Sequence, residues 1–193
     1  MKADVYIDKY YIWQESLVHI LPSSKNVILH TVENLPANKV LIHLEGDHQL
    51  KNGNLYMNMN VGTSKISWIG PLDITVLKKY FSLLSSDFYE LQNPDVWFYN
   101  TRSMLGEKEG NISLTVFYME GCPHCTNMLP KVLNLSFLVK NLSLNVIEIH
   151  TGEYMEGDYP HVDYIPTIYM SDKKLVGDVD SDTFYKFLIE SSL

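Results

Sequence analysis

ISLTVFYMEGCPHC, from Ile112 to Cys125, is the segment on which the architecture of this chain turns. Ile112–Met119 is an almost unbroken run of β-branched, aromatic and other apolar residues, the composition of a central strand covered on both faces. Cys122-Pro123-His124-Cys125 follows at once and contains both cysteines of the 193-residue chain. Pro123 suits the first turn of a helix, where a missing N–H costs no hydrogen bond. Beyond it, Met128, Leu129, Val132, Leu133, Leu135, Phe137 and Leu138 recur at helical spacing within Thr126–Lys140. Pro130 falls inside that pattern and predicts a kink.

Further along, Leu144–Ile149 reads as a second strand, at the distance a parallel βαβ crossover needs. His150–His161 is an acidic loop or short helix with Gly152, Gly157 and Pro160. Glu148, Glu153, Glu156, Asp158 and Asp163 match no calcium-loop spacing and are expected on a solvated loop, steering basic partners. Thr167–Met170 and Lys174–Gly177 form a predicted hairpin turning at Ser171–Lys173. Asp180 or Ser181 caps a final helix with Phe184, Phe187, Leu188 and Leu193 on its apolar positions.

The strand, the CxxC at a helix start, a proline five residues past the second cysteine and the later Ile165-Pro166-Thr167 together resemble the thioredoxin/glutaredoxin superfamily. The resemblance covers residues 111–193, and the 44 residues from Cys122 to Pro166 fit the family's spacing. It implies an α/β thioredoxin-like fold, a central mixed sheet flanked by helices, for a catalytic domain at 106–193. The implied activity is thiol–disulfide exchange with protein clients. Cys122 is the implied nucleophile at the positive end of the helix, where a thiolate is favoured, and Cys125 the resolving thiol. Pro123 and His124 tune the pair, and the Pro-His dipeptide resembles that of periplasmic disulfide oxidases. A cis Pro166 with Ile165 and Thr167 beside it is the implied substrate-binding turn. The partners implied are protein thiols or disulfides and a recycling reductase or oxidase.

The chain also departs from the family. Val116 stands where thioredoxins carry a buried Asp, and Glu120-Gly121 replaces the residues that include their Trp. Met119 stands where many glutaredoxins place a glutathione-binding Lys, which argues against glutathione as a cofactor. Asp180 and Asp182 match a glutathione-amine position, but they double as helix caps. No other cofactor and no metal is expected. The competing readings of CPHC are a structural disulfide, half a zinc site with His150 or His161, and a relic. In the last case the chain is a redox-inactive binding or assembly module, structural or virion-associated.

Composition sets the frame for both readings. Lys plus Arg number 15 against 23 Asp plus Glu, a net charge of -8. Such a balance disfavours nucleic acid and anionic membrane partners. Met1–Trp13 lacks the basic and continuous apolar regions of a signal peptide, and no run suits a bilayer span. A reducing cytoplasmic compartment is the expectation, and the oligomeric state is left open.

Asn100–Gly110, with two glycines and mixed charge, reads as a linker or long loop between residues 1–105 and 106–193. In the first part Asp8–Leu21 is a predicted helix, and Val27–Thr31, Lys39–Leu44, Leu55–Val61 and Lys65–Ile69 are predicted strands. Lys51–Asn54 reads as a turn. Leu72–Leu84 reads as an amphipathic helix with Pro71 at its start and Asp73 in its first turn. Ser67–Asp73 and its helix echo Lys174–Asp180 and its helix: strand, glycine, acidic cap, helix. The echo suggests a second, cysteine-free thioredoxin-like domain; an unrelated module that presents clients or mediates assembly is the alternative.

Overall fold

A computed structural model describes residues 3–8, 27–32, 42–46, 56–61, 63–70, 73–85, 112–150 and 162–192. In chain order the strands are β1 (Ala3–Asp8), β2 (Val27–Val32), β3 (Ile42–Gly46), β4 (Tyr56–Val61) and β5 (Ser64–Ile69). Helix α1 (Ile74–Ser85) follows, then β6 (Ile112–Tyr118), helix α2 (Pro123–Leu138) and β7 (Leu142–Glu148). The hairpin β8 (Thr167–Met170) and β9 (Lys173–Val176) and helix α3 (Ser181–Ser191) complete the described elements.

These strands form one nine-stranded mixed sheet in the order β2-β1-β3-β4-β5-β7-β6-β8-β9. Leu114, Val116, Phe117 and Tyr118 of β6 are fully buried, as the apolar run requires. β6 pairs in parallel with β7 and antiparallel with β8, in the register Phe117↔Ile147 and Phe117↔Thr167. On the other side of β7 lies β5, also parallel, with Trp68 opposite Val146.

The strand directions repeat. From β2 through β1, β3 and β4 to β5 there are three parallel strands, one reversed, and a fifth in the first direction. From β5 through β7, β6 and β8 to β9 the same sequence of directions recurs. Strand β5 closes the first set and opens the second. The connectivity differs between them: within the second set the chain visits the positions in the order 1-3-2-4-5, and within the first in the order 2-1-3-4-5.

The echo seen in the sequence has the same local geometry twice. Gly70 after β5 and Gly177 after β9 have φ of 110° and 91°, a region that side chains disfavour. Asp73 Oδ1 then accepts from the N–H groups of Thr75 and Val76, 2.9 and 3.0 Å away, so it caps α1 rather than sitting in its first turn. Asp180 Oδ1 accepts from Thr183 N–H at 2.7 Å and caps α3. Each carboxylate satisfies donors that a helix start leaves unpaired.

Helix α2 runs unbroken across Pro130. Proline has no N–H to give the carbonyl four residues back, which is that of Thr126. Lys79 Nζ of α1 donates to this oxygen from 3.3 Å. Deeper in the same contact Tyr80 and Ser136 share a buried hydrogen bond of 2.9 Å. One apolar core holds Trp68, Leu77 and Tyr80 together with Leu114, Leu133, Val146 and Phe184.

Most predicted elements of the second half lie within two residues of the observed ones. β9 starts one residue early, and Asp180 rather than Ser181 is the cap of α3. Strand β1 is an addition to the predicted elements, although Ala3, Val5 and Ile7 alternate with polar residues. The helix expected over Asp8–Leu21 lies outside the described residues beyond Asp8, which ends β1. The turn at Lys51–Asn54, the linker at Asn100–Gly110, the boundary at residues 105–106 and the loop at residues 151–161 also lie outside them.

Candidate active site

The end of β6 delivers the chain to the sulfurs. Met119 and Glu120 leave the strand, Gly121 turns with φ 75°, and Cys122 stands as the N-cap of α2 with extended backbone. The turn closes with Cys122 N–H donating to Met119 O at 3.2 Å. Pro123 takes the first helical position. Thr126 fastens the first turn from inside, its N–H and Oγ1 both donating to Cys122 O, at 3.0 and 3.1 Å.

The sulfur of Cys122 accepts a hydrogen bond from the N–H of Cys125 at 3.4 Å. In a helix start that N–H has no carbonyl partner, so the N-cap sulfur takes the place usually filled by Ser or Asp oxygen.

Burial separates the two thiols. Cys122 keeps 7% of its surface open and Cys125 none, and both are reduced. Burial pushes the Cys125 thiol up to about 12, with the hydrogen bond to Cys122 and the charges of Cys122 and Asp73 acting in the same direction. The Met119 backbone hydrogen bond acts against this rise. His124 and Pro123 are exposed on the outer side of the first turn.

The antiparallel register Phe117↔Thr167 sets the Ile165–Pro166 turn at the end of the sheet where β6 runs toward Cys122. The Ile165–Pro166 bond is cis. Pro166 is buried, Ile165 half-buried against the core, and Thr167 buried with its Oγ1 donating to Tyr164 O. Gly177 N–H donates to Pro166 O at 2.8 Å and ties this turn to the end of β9. The topology therefore brings Cys122, Pro123, His124 and Cys125 to the same end of the sheet as Ile165, Pro166 and Thr167.

Beneath this end lies a polar pair that no sequence pattern singles out. Trp68 Nε1 of β5 donates to Tyr118 Oη at 2.7 Å, with the rings edge to face at 5.4 Å. Burial drives the Tyr118 phenol far above its ordinary range; the Trp68 hydrogen bond opposes this, and the Glu148, Asp73 and Glu120 charges add to it. Glu148 is itself 3% exposed, against the expectation of a solvated position. It ends β7 opposite Tyr118, and its carboxylate accepts from His150 N–H at 2.8 Å and lies 3.1 Å from His150 Nδ1. The signal was its place at the last position of an apolar strand, where a side chain follows the pleat and not the acidic composition of the sequence beyond it. Val116, in the place of a thioredoxin's buried Asp, is fully buried and apolar, and Glu120 is exposed.

Among the described residues no three metal-ligating side chains gather, and no helix is long and apolar enough to cross a membrane. No protein-family model matches the sequence, and no curated protein matches it. Solved structures do resemble the fold. The alkylhydroperoxide reductase AhpF of Enterococcus faecalis, as a C503A mutant, superposes with a TM-score of 0.62 at 12% identity. The match covers 97% of this chain and 90% of that one. The NTD_N/C domain of AhpF from the same organism gives 0.61 at 10% identity, with the same two coverages. A protein disulfide oxidoreductase from Aeropyrum pernix gives 0.54 at 13%, covering 96% of this chain and 83% of that one. The sheet order around β6, the N-cap cysteine and these likenesses agree that the chain has a thioredoxin-like α/β fold.

Proposed function

We propose that this chain is a thiol–disulfide oxidoreductase that exchanges disulfides with protein substrates through Cys122 and Cys125. The observation that carries the reading is the asymmetry of the pair: a sulfur at a helix N-cap, receiving the Cys125 N–H, and a second thiol one turn inside it, fully buried. The fold likeness to a disulfide oxidoreductase supports the same reading.

In the reducing direction the Cys122 thiolate attacks a substrate disulfide. A Cys122–substrate S–S bond forms, the substrate S–S bond breaks, and one substrate sulfur leaves as thiolate and takes up a proton. Cys125 then gives up its proton and attacks the Cys122 sulfur. The second substrate thiol leaves, and the Cys122–Cys125 disulfide retains the oxidation that the substrate lost. An external dithiol restores the pair; with an oxidant as recycling partner, every step runs in reverse. Ile165, Pro166 and Thr167 are the proposed substrate-side turn, and His124 at the second helical position acts on the Cys122 charge. The proposed setting is reducing and cytoplasmic, with no cofactor beyond the cysteines. Residues 1–105 are proposed to select clients for residues 106–193.

The test is dithiol-driven reduction of insulin disulfides. Cys122→Ser is expected to abolish it, and Cys125→Ser to accumulate mixed disulfides with clients. Full activity in Cys122→Ser overturns the proposal.

The second reading is a redox-inactive binding or assembly module. It draws on the small opening at Cys122 and on Val116, which removes the buried carboxylate that thioredoxins use as a proton acceptor. Failure of Cys122 to form a mixed disulfide with any small disulfide would favour it.

A further inference from the structure

A chain of polar contacts ties α2 to the loop between β9 and α3. Asp178 of that loop places one carboxylate oxygen on each of two α2 side chains that stand a turn apart. Asn127 Nδ2 donates to Asp178 Oδ2 at 3.2 Å, and Lys131 Nζ donates to Asp178 Oδ1 at 3.1 Å. Lys131 Nζ also donates to Val179 O at 2.7 Å. The other end of the Asn127 amide is engaged as well, its Oδ1 accepting from Lys79 Nζ of α1 at 3.4 Å. A carboxylate on one side and an ammonium on the other give that amide a single orientation.

Both ends of this clamp lie in the proposed site. α2 has Cys122 as its N-cap and carries Cys125 in its first turn. Gly177, the residue before Asp178, donates its N–H to Pro166 O at 2.8 Å. The loop is thereby bonded on one side to the helix that bears both cysteines and on the other to the Ile165–Pro166 turn. The β6–β8 ladder sets the ends of the strands, and the Asp178 contacts add a second tie at the level of the helix itself. In stability the pair is a minor item: Lys131 and Asp178 are 30% and 20% exposed, so solvent screens their attraction. Its weight is geometric. Disulfide exchange needs three sulfurs nearly in line, and a displacement of about 1 Å at a reacting group can cost roughly a hundredfold in rate.

We propose that Asp178 is a positioning residue of the exchange site. Through Asn127 and Lys131 it holds the cysteine-bearing helix at a set spacing from the Pro166 turn, so that a polypeptide lying along the turn presents its disulfide in line with Cys122. The inference rests on the thiol–disulfide reading above. A disulfide too small to lie along the turn does not draw on this spacing.

The experiment measures reduction of insulin and of hydroxyethyl disulfide by the full chain, above the dithiothreitol background. Asp178→Ala is expected to lower kcat/KM for insulin by about tenfold and for hydroxyethyl disulfide by less than about twofold, with a urea midpoint close to that of the wild type. Lys131→Met is expected to reproduce the insulin loss, and Lys131→Arg, which keeps a cationic donor for the carboxylate, to retain the wild-type value. The double variant Asp178→Ala, Lys131→Met is expected to lose no more than either single one, because both break the same tie. An unchanged insulin kcat/KM in Asp178→Ala, or equal losses on the two disulfides, overturns the inference and leaves the oxidoreductase reading standing. A wild-type protein inert toward both disulfides overturns the two together.

Discussion

At the level of single residues, the two thiols of one short motif are made unequal by where the chain buries them. Cys122 reaches the surface at the helix start, and Cys125 is sealed one turn in. Limited iodoacetamide on the reduced protein is expected to label Cys122 and spare Cys125, read by peptide mass mapping; equal labelling contradicts the asymmetry. The pH dependence has a definite sign. The folded Cys125 thiol titrates above its ordinary value, so its contribution to stability is intact below that value. It is lost as pH rises toward about 12, because the unfolded chain releases the proton first. Urea midpoints of the reduced protein are therefore expected to fall as pH rises above the ordinary thiol range. The disulfide form, with no thiol left to titrate, is expected to hold its midpoint until pH reaches the ordinary range of tyrosine. From there upward the buried phenols of Tyr80 and Tyr118, both raised chiefly by desolvation, add a loss in either form. Tyr118→Phe tests a neutral contact: it deprives the buried Trp68 N–H of its acceptor, a loss expected to cost about 1–3 kcal/mol in chemical denaturation.

Among the helices and strands, those of the second half are legible because they obey local rules. The apolar run of β6, Pro123 at a helix start and Asp180 before α3 each fix a boundary by sterics or hydrogen bonding over a few residues. Glu148 departs from expectation because its position on the pleat outranks the acidic composition of the residues after it. The partner of Pro130 is not legible at all, since Lys79 lies 47 residues from Thr126 in the chain. That contact predicts a coupling. Lys79→Met is expected to destabilise the wild-type protein by a few tenths to about 1 kcal/mol, given its exposure. It is expected to have little effect in a Pro130→Ala background, where a restored N–H satisfies Thr126 O; additive effects in the double mutant would remove this account. The glycine after β9 offers a purely backbone test. A Cβ at Gly177 meets nothing within 4 Å, so Gly177→Ala is expected to cost about 1–3 kcal/mol from its φ of 91° alone.

For the whole molecule, the sheet does not respect the composition seam near residues 100–110. β7 pairs with β5 along Lys65–Ile69, and α1 packs on α2 through Tyr80 and Ser136. A fragment of residues 106–193 is thereby stripped of the strand beside β7 and of the helix that covers α2. It is expected to show reduced cooperativity in thermal melts and exposed apolar surface by dye binding, whereas a fragment beginning at residue 63 is expected to restore both. Sequence patterning could not reveal this, because strand neighbours are chosen by long-range pairing that no periodicity records. The echo of strand, glycine and capped helix was legible, but the shared use of β5 was not.

That double membership has a mechanical consequence. A strand bonded to β4 on one side and β7 on the other has its amides engaged in the middle of the sheet, far from either edge. Its protons can meet solvent only when the sheet opens at its centre. The slowest hydrogen exchange in the molecule is therefore expected along Lys65–Ile69 and the facing Ser143–Ile147. A chain pulled from its two ends should likewise yield last at this clamp, with the cysteine motif held on the strand beyond β7.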